Sequence, residues 1–167
     1  TERKKAEARI LRLNRLYVTI SQINQTIVHA TDRDGLFSEI CRVAIEHGKF
    51  RMAWIGVIDE TDEEIKPSIF AGEELGYLTN LKIKYRDAIL GSGPTGTAIR
   101  EGRCIICQDI ASDPRMAPWR EPALGRGYRS SAAVPIREQG RVVGALTVYA
   151  DEVNGFDEEN EGLLEQI

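Results

Sequence analysis

Two thiols separated by two residues, Cys104-Ile105-Ile106-Cys107, have the spacing used for thiol–disulfide exchange and for zinc. Both uses put the thiols on a turn or a helix start, where they converge. Here the spacer is a pair of isoleucines that reads as a strand, and strand residues three apart point to opposite faces. No second cysteine pair or suitably spaced histidine completes a zinc site. The two histidines, His29 and His47, fall near expected helix ends, His47 just before Gly48, where a helix dipole favours an imidazolium. Neither has a sequence partner for metal or haem. The run Gly91-Ser92-Gly93-Pro94-Thr95-Gly96 lacks the Gly-Lys-Ser/Thr ending of a phosphate loop. Ser130-Ser131 opens a strand with no histidine nearby in sequence. Glu63-Glu64 and Glu158-Glu159 sit in a turn and at a helix start, where solvated roles are the default. No residue is nominated as catalytic or as a metal ligand.

The elements that must position these residues are legible. From Ile10, the residues Ile10, Leu13, Tyr17, Ile20, Asn24 and Ile27 recur at steps of three and four, a heptad seam with one asparagine in it. A second row, Leu13, Leu16, Ile20, Ile23, Ile27 and Ala30, has the same spacing, so the stripe is wider than a two-stranded coiled coil requires. One edge could pack on the chain's own sheet and the other on a second subunit. Thr31 or Asp32 is expected to cap a second helix whose buried face runs from Leu36 to Ile45, with Gly48 as its stop. Strands follow at Arg51 to Asp59 and at Ile65 to Ala71, with Pro67 tolerable at an edge or bulge. The segment from Leu75 to Leu90 is ambiguous, with a short helix at Tyr77 to Ile83 as one reading. A short helix at Thr97 to Gly102, a strand at Cys104 to Asp109, and a hairpin of Ser130–Ile136 with Val142–Tyr149 complete the sheet. A last helix is expected from Asp157 to Ile167, with Asp157 as its cap. Hairpins with helices before, between and after them argue for an α+β fold on an antiparallel sheet of five to six strands, with helices on one face.

The chain has 167 residues, 42% hydrophobic and 29% charged, with a net charge of -4. That balance gives no overall pull toward nucleic acid or an anionic membrane. No apolar run reaches the ~18 residues of a membrane span, and the charged start is not a signal peptide. Three cysteines, an odd number, suit a reducing compartment, so a cytoplasmic setting is expected.

From about Asp32 to the C-terminus, the order of Gly-rich turn, short helix, Cys104–Asp109 strand, Asp113-Pro114 and Pro118-Trp119-Arg120 loop, and final hairpin resembles the GAF family of small sensory domains. The resemblance implies a division into an N-terminal signalling helix, 1–31, and a sensory domain, 32–167. It also implies a ligand between one sheet face and the loops that cross it. On that face the strand alternation would gather Trp54, Ile58, Ser131, Ala133, Thr147 and Tyr149, with Trp119 as a lid or a staple. Such a lining is apolar and aromatic with three hydroxyls. No cofactor is named by it: the cyclic-nucleotide and bilin motifs of the family are absent. One branch of the family reduces free methionine sulfoxide with a cysteine in a Gly-x-Cys-Gly-Thr-Ala turn. Gly93-Pro94-Thr95-Gly96-Thr97-Ala98 carries Thr95 where that thiol would stand. Thr1-Glu2-Arg3-Lys4-Lys5-Ala6-Glu7 resembles the sequence that closes a PAS domain. Together with a C-terminal helix lacking a cap, it implies a middle module of a bacterial-type signalling protein, with a histidine kinase or a diguanylate cyclase/phosphodiesterase as output. The expectation is a sensor or relay without turnover, homodimeric through Leu13, Leu16, Tyr17, Ile20, Ile23 and Ile27 and the C-terminal helix. The alternatives are a thiol reductase and a ligand-free dimerisation module.

Overall fold

The computed structural model describes residues 1–29 and 32–156, and of residues 26–29 the backbone only. The expected C-terminal helix and the side chain of Ile27 lie outside the described residues. The chain opens with helix α1 (Glu2–His29), and α2 (Arg33–Glu46) follows. Asp32 is the cap: its Oδ1 accepts the Gly35 N–H at 2.6 Å, a bond typically worth about 1 kcal/mol of helix stability. The strands are β1 (Met52–Asp59), β2 (Glu64–Gly72), β3 (Ile105–Cys107), β4 (Ser130–Glu138) and β5 (Arg141–Ala150). Between them lie α3 (Pro94–Glu101) and α4 (Arg120–Gly125), with 3-10 turns at Leu78–Asn80 and Pro114–Met116.

The five strands form one antiparallel sheet in the order β2-β1-β5-β4-β3. Pro67 sits in β2, an edge strand, beside the register shift at Ile55/Gly56, so its missing N–H costs no central ladder bond. The β4–β5 hairpin closes through Gln139 and Gly140, both at positive φ, as the tight two-residue turn requires. Alternation on β5 divides the core. Leu146 and Val148 face α1 and α2, where Leu16, Ile20, Ile23, Phe37, Ile40 and Cys41 are buried with them. Thr147 and Tyr149 face the other way, toward α3, α4 and the crossing loops. Cys104 and Cys107 fall in the cores on opposite faces, as strand geometry dictates, and all three cysteines are buried, none of them in a disulfide.

Three expectations are corrected. Three of the residues expected to form the dimer interface enter the core: Leu16, Ile20 and Ile23 are 4%, 4% and 1% exposed, so these three are spent on the domain itself and are not available to a second subunit. Tyr17 is 63% exposed, Leu13 half-buried, and Ile10 63% exposed, leaving the other edge of the stripe uncovered. Helix α3 begins at Pro94, three residues before the expected Thr97, because proline suits the first helical position and its missing N–H would lack an intrahelical partner there anyway. It ends at Gly102, whose left-handed φ of 66° leaves its carbonyl to accept from Arg137 at 2.6 Å. The ambiguous segment after β2 is a loop with one 3-10 turn, not a helix from Tyr77 to Ile83.

Candidate functional site

The far face of the sheet carries a small site. β5 supplies Thr147 and Tyr149, and β4 supplies Ser131, whose Cα pairs with that of Tyr149. Because α3 starts at Pro94, Thr95 lies in its first turn and turns inward, 5% exposed, to place its hydroxyl 2.8 Å from that of Thr147. Trp119, 7% exposed, closes the site from the loop before α4, and its indole N–H donates to the Lys82 carbonyl at 3.1 Å. Gly93 is glycine for a direct reason: a Cβ there would run into the Trp119 ring. Tyr77 and Leu81, from the loop after β2, close the remaining side.

Of the seven residues expected on this face, Trp119, Ser131, Thr147 and Tyr149 line the cavity. The other three are displaced by packing. Trp54 is fully buried behind Tyr149 and donates its indole N–H to the Tyr149 hydroxyl at 3.1 Å, so it supports the wall without forming it. Ala133 lies under α3 with Ala98 and Ile105. Ile58 is half-buried at the strand end, against the rim of the aromatic core. The residues that sequence reasoning missed, Tyr77, Leu81 and Met116 among them, come from segments without strand or helix periodicity, so no pattern marked their direction.

Three tyrosines brace the site. Tyr149 stacks on Tyr128 at 4.7 Å between centroids, and Tyr77 meets both rings edge-on at 5.3 and 5.6 Å. Each such pair contributes about 0.5–1.5 kcal/mol beyond area burial. Tyr128 donates to the Glu73 carbonyl at 2.6 Å, tying the loop after β2 to the strand layer. Burial pushes the Tyr149 phenol up to about 12 and that of Tyr77 well above its ordinary value. Burial likewise pushes the Cys41 and Cys107 thiols up to about 12, away from the thiolate a nucleophile needs. These groups keep their protons in the folded chain where the unfolded chain has begun to lose them. Their contribution to stability is therefore full below about pH 9, the ordinary thiol range, and is lost as pH rises to about 12. Urea melts at stepped pH should show a falling midpoint from about pH 9 upward, with phenolate absorbance from these tyrosines appearing only as the chain unfolds.

The cavity they enclose is small, about 20 Å³, room for about one water. Among the described residues, no thiol, carboxylate, histidine, lysine or arginine lines it. Outside it lies a cleft of about 360 Å³ that shares Tyr77, Leu81 and Trp119 as its wall and carries Glu121 and Arg126 on its rim. Chemically, the inner site offers hydroxyl hydrogen bonds and aromatic surface, with nothing to move a proton or attack a carbon. The Thr95–Thr147 pair can be tested in isolation. Thr147→Val leaves the Thr95 hydroxyl buried without its partner and is expected to cost about 1–3 kcal/mol, whereas Thr95→Val with Thr147→Val keeps the shape, strands no hydroxyl and recovers most of that loss. Additive losses in a double-mutant cycle would show that the two hydroxyls do not depend on each other. Among the described residues there is no cluster of three or more His, Cys, Asp or Glu able to hold a metal, and no helix long and apolar enough to cross a membrane.

Comparison with known proteins agrees with this architecture. The family model described as "GAF domain" matches residues 30–167. GAF domain-containing protein A of Dictyostelium discoideum is 28% identical over 120 residues, which cover 71% of this chain and 67% of that protein. Among solved structures, free methionine-R-sulfoxide reductase from Neisseria meningitidis in complex with its substrate superposes with a TM-score of 0.70 at 21% identity, over 89% of this chain and 80% of that one. The GAF domain of a phosphoenolpyruvate-protein phosphotransferase from Coxiella burnetii gives 0.69 at 21% identity, over 92% and 88%. At such identities the two superpositions establish a shared fold.

Proposed function

The chain belongs to the GAF domain family, and from that membership we propose a sensory and regulatory module that takes an uncharged small molecule beneath Trp119 and relays its presence to α1. The observation that carries this reading is the two-sidedness of β5: Thr147 and Tyr149 line the cavity, and Leu146 and Val148 are buried with Leu16, Ile20 and Ile23 of α1. A ligand that spreads Tyr77, Leu81 and Trp119 strains β5, whose other face shares a core with α1 and α2, and close-packed cores transmit such shifts. The lining selects against charge. An anion entering there would lose its water and meet no cation.

The module works without turnover of its own. Position 95, which the reductase-like branch fills with a thiol, carries a hydroxyl here, and the cysteines are buried. It acts in the cytoplasm as a homodimer through the exposed edge of α1, between a PAS-like domain and an output domain of kinase or cyclic-dinucleotide type. The PAS-like context rests on Thr1–Glu7. The closed state of the cavity favours one second reading, a dimerisation module that binds nothing.

Thermal shift decides between them. An uncharged heterocycle that fits should raise the melting temperature of the chain, since binding to the folded state alone stabilises it. The Thr95→Val/Thr147→Val variant should respond less, and nucleotides should have no effect. If no uncharged compound raises the melting temperature, the ligand-free reading replaces this one. Reduction of methionine sulfoxide by the chain with a thiol reductant, lost in Cys104→Ser or Cys107→Ser, would overturn the absence of turnover.

A further inference from the structure

The outer cleft of about 360 Å³ and the small cavity beneath Trp119 share one wall, made of Tyr77, Leu81 and Trp119. The two sides of that wall are held differently. On the Trp119 side, Arg115 pairs with Asp113 at 2.7 Å and donates to the Ile106 carbonyl of β3 at 3.1 Å. Arg120 donates to the carbonyls of Ile110 and Asp113 at 3.2 and 2.6 Å. Those bonds fasten the loop before α4 to the sheet edge. The other side, residues 74–82, contains one 3-10 turn and bonds chiefly to itself. The Tyr77 N–H donates to the Glu74 carbonyl at 3.0 Å, the Leu81 N–H to that of Leu78 at 3.3 Å, and the Gly76 N–H to the Glu74 carboxylate at 2.9 Å. This loop starts where Tyr128 donates to the Glu73 and Glu74 carbonyls, and it ends where the Ile83 carbonyl accepts from Ile65 of β2.

Among the described residues, two hydrogen bonds cross to this loop from the Trp119 side. The Arg126 Nε–H donates to the Leu75 carbonyl at 2.9 Å and the Trp119 indole N–H to the Lys82 carbonyl at 3.1 Å, one at each end. Between them Tyr77 rests edge-on against Tyr128 and Tyr149. Leu75 opposes these ties. It and Gly76 both have left-handed φ, 52° and 80°, in a four-residue turn closed by the Tyr77 N–H on Glu74. Such a turn takes Asn, Asp or Gly at its first central position, and a leucine there is strained. At 60% exposure, Leu75 has little packing to hold it in that conformation. A strained turn, a loop bonded mostly to itself and two ties at its ends make a segment that opens more readily than the sheet.

We propose that residues 74–82 form a gate, latched by Arg126 and Trp119, whose opening withdraws Tyr77 and Leu81 and joins the outer cleft to the space beneath Trp119. The gate rests on the reading of that space as a ligand site, yet it is tested with no ligand at all. The chain has two tryptophans, and their indole N–H groups serve as probe and control. That of Trp119 is bonded across to the gate, and that of Trp54 to Tyr149 in the core. In the 167-residue chain, followed by NMR in deuterated buffer, the Trp119 indole N–H should exchange at least about tenfold faster than that of Trp54. Arg126→Met removes one latch and should speed Trp119 exchange about fivefold, the value of one hydrogen bond. Leu75→Asn suits the left-handed position and should slow it at least about threefold. Both variants should leave the Trp54 rate as it is in the parent, since neither residue belongs to the hydrophobic cores. Equal rates for the two indoles in the parent, faster Trp119 exchange in Leu75→Asn, or a Trp119 rate unmoved by Arg126→Met would each overturn the gate. Rates as expected while no uncharged compound raises the melting temperature leave the gate standing and overturn the ligand reading alone.

Discussion

Replacing Trp54 by Ala should cost about 3–5 kcal/mol, the range for removing a buried aromatic side chain. Trp54 is fully buried on β1, between β2 and β5, with its Cα paired to those of Phe70 and Thr147. Its indole fills the layer behind Tyr149 and gives that hydroxyl a donor at 3.1 Å. The change therefore removes packing and a hydrogen bond together. Against a total stability of about 5–15 kcal/mol, it takes about a fifth or more, and at about 2–4 °C per kcal/mol for a domain of this size the midpoint falls by roughly 6–20 °C. Urea melts of Trp54→Ala and Trp54→Phe separate the two contributions. The Phe variant keeps most of the ring, loses the donor, and should cost about 1–3 kcal/mol. A loss below about 1 kcal/mol in the Ala variant would mean that the sheet does not depend on this ring, contrary to its burial.

A dimer that dissociates when charge enters α1 is the second expectation, and it follows from the corrected stripe. With Leu16, Ile20 and Ile23 turned into the core, the uncovered edge carries Ile10 at 63% exposure, Tyr17 at 63% and the half-buried Leu13, around a groove of about 300 Å³. Ile10, Tyr17 and Asn24 are seven residues apart, the spacing of one heptad position. Leu11 and Val18, also exposed, widen the patch beside it. A second copy presents the same stripe at the same spacing, so a parallel pair would bury like against like, with Asn24 fixing register. Ile10→Glu with Tyr17→Glu places four carboxylates in that seam per dimer. Sedimentation at tens of micromolar should show the parent chain as a dimer and the variant as a monomer, a shift of at least about two orders of magnitude in Kd if each buried charge costs even 1–2 kcal/mol. Neither side chain belongs to the domain's core, so the melting curve of the monomer should remain cooperative. A monomeric parent ends the proposal, and a dimeric double variant moves the interface elsewhere.

The sequence alone determined the elements with a period and those with a committed turn. Thr31 or Asp32 announced a helix start, a hairpin was legible between Ser130–Ile136 and Val142–Tyr149, and alternation on β5 already separated Thr147 and Tyr149 from Leu146 and Val148. Strand geometry put Cys104 and Cys107 on opposite faces before any contact was known. These features are local: a few neighbouring residues suffice to set them. The tertiary structure alone decided which edge of the wide α1 stripe turns inward, because a stripe broad enough for two partners does not say which one the domain takes. It also decided that Thr95 faces Thr147, that Tyr77 and Leu81 reach the site, and that Trp54 stands behind the wall. The loops carrying Tyr77 and Trp119 have no period to read. Their positions follow from hydrogen bonds between residues far apart in the chain, Trp119 to Lys82 and Tyr128 to Glu73, and from the space Gly93 leaves for an indole, which exist only once the sheet has brought those segments together.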